Sequence, residues 1–365
     1  MGVFKNIVEP AVLVSIFTLG TLANRRRRLP PSLNYNTRKP SARSIKTQPF
    51  SPTPPSRRPR NSSFRSNFTS RLLATFPFLI EIWYWLLLYW PYQLARAYSA
   101  RLIYDDPSIF NLAEENAASI LDLESMLGIA IERSLQRAIL AHAPWIMKVF
   151  KKVYIFHIMV GVAFFVYAYT YMPPRAFVRV RRTIAIDNWI AFIIFTLWRC
   201  APPRLMPLEY GYIDILHRRR QQIAATISQS SVPGNSIPKQ PFSWSNNQYQ
   251  LTIAAMPSLH FGTSLLIAVC LIRFSPHRVL RLLAPVWPAA MLLTILATAN
   301  HWLLDAVVGA MIPCMAWRLH WLLEAPLLGT MEEWGFWLLR TEKPDTAVEY
   351  ENRRREGMYH GEPGV

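Results

Sequence analysis

Only three cysteines occur in 365 residues, and Cys200, Cys270 and Cys314 stand far apart, in or beside apolar segments. That spacing excludes a disulfide framework and a cysteine metal cluster, and leaves the three as small core side chains. Acidic residues are also scarce: 22 Asp and Glu against 40 Lys and Arg give a formal charge of +18. Such an excess would point to nucleic acid if the basic residues formed a stripe on a folded domain. They gather instead in the connections between apolar runs, a pattern of membrane topology beside anionic lipid, so no nucleic-acid partner is expected. No clear small-residue cleavage site follows the first apolar run, and its basic cluster, Arg25 to Arg28, comes after it rather than before it. A signal anchor over 1–22 is therefore favoured over a cleaved signal peptide.

What is present is apolar and aromatic: 52% hydrophobic residues, with 13 Trp, 19 Phe and 15 Tyr. This exceeds an ordinary soluble domain. Runs at 7–22, 73–95, 153–172, 184–200, 261–273, 282–299 and 302–322 predict an all-α polytopic membrane bundle of about six to seven spanning helices. The Arg-rich stretch 173–183 reads as a connection between two of them. Residues 23–70, rich in Pro, Ser and Arg, read as a disordered basic segment. The catalytic domain is expected over 71–322, and 323–365 reads as a polar tail. Between 104 and 140, acids alternate with Leu112, Ile120, Leu123, Leu127, Ile131 and Leu135 at helical spacing. This predicts an amphipathic surface helix broken near Gly128, with a scaffolding role.

Two histidines stand at the mouths of apolar segments: His260 in Met256-Pro257-Ser258-Leu259-His260, and His301 in Asn300-His301-Trp302-Leu303-Leu304-Asp305. A hairpin of two membrane helices returns both to one face. Counting crossings puts Arg204, after Pro202-Pro203, on that same side, opposite the basic connections. Four residues separate His301 from Asp305, so both lie on one helix face, where the carboxylate can hold one imidazole proton and leave the other nitrogen free. Ser258 caps a helix entrance whose amides attract an anion. Arg204 supplies a permanently charged fork for phosphate oxygens. The set points to phosphoryl transfer without a metal or other cofactor. His157, His320 and Asp214 are read as structural.

Pro202-Pro203-Arg204, Ala255-Met256-Pro257-Ser258-Leu259-His260 and Asn300-His301-x-x-x-Asp305-x-x-x-Gly309 resemble the three signature motifs of the type 2 phosphatidic acid phosphatase superfamily. The similarity is strongest to its inositolphosphotransferase branch, which contains fungal inositol phosphorylceramide synthases, and the stretch from Leu123-Glu124 to Gln136 also looks like that branch. The resemblance implies a phosphohistidine at His301, oriented by Asp305. His260 would protonate the departing alkoxide, and Arg204 and Ser258 would hold the phosphate oxygens. It further implies a phosphotransferase or a phosphatase acting on a phospholipid or sphingolipid in the bilayer, with a second alcohol or water as acceptor and transfer of inositol phosphate to a ceramide-type lipid as the transferase form, in ER or Golgi with the site facing the lumen. Thr294-Ile295 replaces the usual Ser-Arg pair before the last histidine, and Leu197 stands where a lysine is usual; Arg199 is a stand-in for the lost charge. These departures keep open a degenerate scaffold or lipid-binding protein. A transporter or metal site built on His260, His301 and Asp305 is a third reading.

Overall fold

The computed structural model describes residues 2–26, 61–103, 106–215, 252–324, 326–346 and 348. Most of the basic segment expected to be disordered, 27–60, lies outside them, as does the end of the tail. The described chain is helical, with an isolated bridge between Cys200 and Ala254 as its β-type pairing. The all-α class read from the sequence is the class observed. It divides into two compact units, one formed by 1–16 and 86–320, the other by 17–85 and 321–365.

Helix α1 (Gly2–Ala23) runs through Pro10. Helices α2 (Phe68–Thr75) and α3 (Phe78–Leu102) meet at 99°. Helix α4 (Pro107–Met126) begins at Asp106, whose carboxylate accepts from Ser108 N, and Pro107 occupies the first helical position, where no N–H is needed. It stops before Gly128, whose φ of +69° is the left-handed conformation that favours glycine. Helix α5 (Glu132–His142) follows, so the break expected near Gly128 is where the amphipathic segment divides. Helix α6 (Pro144–Tyr171) ends against Pro173, and Pro174 opens α7 (Pro174–Leu197). The remaining elements are α8 (Leu259–Phe274), α9 (Arg278–Leu283), α10 (Val286–Ala297), α11 (Leu303–Leu319) and α12 (Pro326–Leu338).

Two expectations change. Arg175, Arg179, Arg181 and Arg182 belong to the first turns of α7 and not to a connection. The Pro173-Pro174 pair already makes the break, and arginine is a good helix former. Arg179 lies over the Trp317 ring at 4.2 Å from its centroid. The count of spans is also lower. Among the described residues α6, α9 with α10, and α11 with the 3-10 turn to Glu324 are long and apolar enough to cross a membrane, and the bent pair α2–α3 makes a fourth. Helix α7 carries too many charges to qualify. Helix α8, with 16 residues, is about 24 Å long, short of a 30 Å hydrocarbon core.

In the larger unit α11 packs on α7 and α8, α10 on α5, α6 and α8, and α6 on α5 and α8. One apolar cluster gathers Tyr92, Ala113, Ala117, Ile120, Phe195, Cys200 and Trp302. A second joins Met291, Ile295, Leu296 and Ala306. In the smaller unit, where 323–338 reads as part of a polar tail from sequence, α12 is a helix with Met331, Trp334, Trp337 and Leu338 exposed. Arg65 pairs with Glu342 there at 2.7 Å, and the side-chain amides of Asn61 and Asn67 donate to the carbonyls of Glu333 and Arg340.

Candidate active site

Backbone hydrogen bonds sew the three motif segments together. Cys200 N donates to Ile253 O at 3.1 Å, and Ala255 N returns a bond to Cys200 O at 3.0 Å. Arg204 N donates to Ala299 O at 2.9 Å, and Ser258 N to Asp305 O at 3.0 Å. Trp302, fully buried, adds a side-chain tie from its indole N–H to Ala201 O at 3.0 Å and an edge contact with Tyr212 at 5.6 Å. Chain regions about fifty to a hundred residues apart thus meet through obligatory backbone groups, which are costly to leave unpaired inside a protein.

His301 is 6% exposed and stands just before α11. Its Nδ1 is 2.7 Å from the carbonyl oxygen of Ala255. A carbonyl only accepts, so Nδ1 carries the proton and Nε2 keeps its lone pair. The nearest Asp305 oxygen, Oδ2, is 3.6 Å from the same nitrogen and accepts from Trp302 N at 2.9 Å. The orienting role expected of Asp305 alone is therefore shared: the Ala255 carbonyl holds the proton, and Asp305 adds its charge and anchors the turn.

His260 sits in the first turn of α8, and its ring lies 5.6 Å from that of His301, centroid to centroid. Ser258 caps that helix, accepting from Phe261 N at 3.5 Å. A Cβ at Gly309 would strike the Ser258 carbonyl, and one at Gly262 would strike the Gly309 carbonyl. Glycine at both places lets α8 and α11 touch backbone to backbone, which brings the two histidines together. Arg204 lies on a 3-10 turn, Pro203–Leu205. Its Nε donates to Asn300 Oδ1 at 2.9 Å and its Nη1 pairs with Asp214 Oδ2 at 3.4 Å, with the two side chains 11% and 3% exposed. Asp214, read from sequence as a loop-folding residue, is thus a direct partner of Arg204. Arg199 Nη2 donates to Ser99 Oγ at 3.1 Å. Thr294 and Ile295, in place of the usual Ser-Arg pair, are fully buried, Ile295 in the second apolar cluster.

Sequence reasoning missed several neighbours. His157 of α6 packs on His260 at 4.3 Å between centroids, with Tyr154 stacked on His260 at 4.4 Å. A lone histidine in an apolar run carries no partner signal, so nothing in the sequence marked it. Glu124 and Glu132, taken for parts of a surface scaffold, are fully buried. Glu132 Oε1 accepts from Leu303 N at 2.8 Å and Glu124 Oε1 from Leu304 N at 2.7 Å, so both carboxyls close the start of α11. Burial raises both, Glu124 to about 8. Gln136, one turn after Glu132, exchanges two bonds with the backbone of Ile213 at 2.9 Å. A signal did exist: Glu124 falls in register with Ala113, Ala117 and Ile120, the buried stripe of α4. An acid in an apolar stripe demands a partner.

Among the described residues no three His, Cys, Asp or Glu side chains are grouped to hold a metal ion. What the fold gathers here is two imidazoles, a guanidinium on a 3-10 turn and the serine-capped entrance of α8. The family model described as the PAP2 superfamily matches residues 118–319, more than half of the chain and all of these groups. The chain belongs to the PAP2 superfamily. Membership with the apolar helices makes it a membrane protein of a phosphatase- or phosphotransferase-type lipid enzyme family. No curated protein and no solved structure matches it significantly.

Proposed function

We propose that this chain transfers a phosphoryl-containing group from a membrane phospholipid through a phosphohistidine on His301, and that the acceptor is a second lipid hydroxyl of the ceramide type. The observation that carries the reading is the His301 hydrogen bond: with Nδ1 donating to Ala255 O at 2.7 Å, Nε2 is free to attack phosphorus. The N–P bond forms as the lipid P–O bond breaks, and His260 gives its proton to the departing alkoxide. Neutral again, His260 takes the proton of the acceptor hydroxyl as that oxygen attacks phosphorus, and the N–P bond breaks. Arg204, braced by Asn300 and Asp214, and the Ser258 entrance of α8 hold the charge on the phosphoryl oxygens. Water in place of the second alcohol makes the same site a phosphatase. The inositol phosphate donor and ceramide acceptor, and a lumen-facing site in ER or Golgi, rest on the likeness of the motifs to the inositolphosphotransferase branch.

Purified protein given labelled phosphatidylinositol, with and without ceramide, tests this. Ceramide-dependent appearance of label in a sphingolipid is the expected result, and release of inositol phosphate to water alone makes the enzyme a phosphatase. No turnover by the wild type, or turnover unchanged by His301→Ala, leaves the scaffold reading, which the Thr294-Ile295 replacement favours.

A further inference from the structure

Glu124 and Glu132 have no part in the reaction above, yet no side chain on α4 or α5 is more buried. Each spends one oxygen on the first amides of α11, those of Leu303 and Leu304. Oε2 of each is buried without a hydrogen-bond partner among the described residues, and so is Oδ1 of Asp305 close by. Three ionised carboxylates around one helix turn would meet only the half-unit of positive charge, roughly, that a helix N-terminus supplies. A buried, uncompensated charge is strongly destabilising. The two side chains lie within hydrogen-bonding reach of each other, and one proton held between them makes a donor and an acceptor of two acceptors and lowers the local charge by one.

We propose that Glu124 and Glu132 share a single proton and, in that state, act as positioning residues that clamp the start of α11 and thereby fix the His301 imidazole. The inference rests on the reading of His301 as nucleophile. Groups that face the pair agree with it. Asp305 on α11 favours the protonated form of both, and the charge of Glu132 favours it at Glu124, while the hydrogen bond from Glu124 favours the carboxylate at Glu132, so the proton and the charge fall on different members of the pair. The Tyr212 hydroxyl, from the 211–214 loop, and the Cys200 thiol are both pushed up, by burial first and then by these acids. The exposed Arg133 on α5 acts on the Tyr212 hydroxyl, and among the described residues no cation is an influence on either glutamate.

The sign follows from the raised Glu124. Below an unfolded carboxyl pKa of about 4.3, both folded and unfolded forms hold the proton. As pH rises from there to about 8, the unfolded chain gives it up while the folded chain keeps it, so stability falls through that window. Above it, two like charges face each other, the clamp loosens and His301 loses its place.

The test uses the full-length wild type and four variants, Glu124→Ala, Glu132→Ala, Glu124→Gln and Glu132→Gln, purified in detergent. Turnover of labelled phosphatidylinositol is followed from pH 5 to 10, and thermal unfolding over the same range. Each alanine variant is expected to lose about 10²-fold in kcat with KM little changed, because a displaced nucleophile costs that much. Glutamine at 124 recovers most of the Glu124→Ala loss and moves the alkaline limb of the rate profile upward by a unit or more. It also flattens the fall of Tm between pH 5 and 8. Alanine variants with wild-type kcat, or a Glu124→Gln profile with its alkaline limb unmoved, overturn the proposal. If an alanine variant elutes aggregated, the glutamine profiles decide alone. An inactive wild type sinks the phosphotransfer reading instead, and the unfolding profiles then test the shared proton by themselves.

Discussion

The two helix entrances that present the histidines are closed in opposite ways. Helix α8 begins with a neutral Ser258 hydroxyl 3.5 Å from its third amide, and α11 begins with carboxylates on three successive amides, those of Trp302, Leu303 and Leu304. Both are N-termini with the same dipole sense. At α11 that positive end is already spent on the protein's own anions, which leaves no attraction for a phosphate. At α8 it is capped by a neutral hydroxyl. In the proposed reaction this difference separates binding from attack, with the anion at the α8 entrance and the reacting imidazole held at the rigid α11 entrance.

Substitutions at the two entrances break this contrast in order of size. Replacing His301 with Ala should lower kcat by about 10³-fold or more on any substrate, since the nucleophile is gone. His260→Ala should cost nearly as much on a lipid phosphoester but far less on an aryl phosphate, whose leaving group needs no proton; equal losses on both would remove the acid role. Arg204→Lys keeps the charge and loses the planar fork that reaches Asn300 and Asp214. A loss of about 10²-fold in kcat/KM is expected, and wild-type activity would show that the fork is not needed. Gly309→Ala forces a methyl onto the Ser258 carbonyl and pushes the entrances apart. It should cost about 1–3 kcal/mol and most of the activity, read as a lower Tm and a lower kcat. Smallest is Trp302→Phe, which removes the bond to Ala201 O. A loss of about 1 kcal/mol in stability is expected, with kcat reduced less than for Gly309→Ala.

Legibility in the sequence followed the range of the interaction. The break at Gly128, the entrances at Ser258 and His301, and the pairing of His301 with Asp305 are local, and spacing alone shows them. Counting crossings puts Arg204 on the same side as the histidines, although α7 takes in the arginines that read as a connection. The residues that spacing could not reach act across long separations. Glu132 caps an amide 171 residues away, Glu124 one 180 residues away, and Asp214 and Asn300 brace Arg204 from two different loops. His157 meets His260 across more than a hundred residues, with no motif to announce it.

Neighbouring residues specify a helical, apolar chain, two histidines at the openings of two helices, and a carboxylate one turn after the second. Helical period, proline breaks and glycine turns are properties of short segments, and they are written in neighbouring residues. Tertiary structure alone decided which carbonyl holds the His301 proton, and it alone turned two acids of an amphipathic stretch into the clamp on α11. Those outcomes depend on which buried polar groups meet when distant segments pack. A buried acid or imidazole takes the partner that the fold brings within 3 Å or so, whatever its distance along the chain.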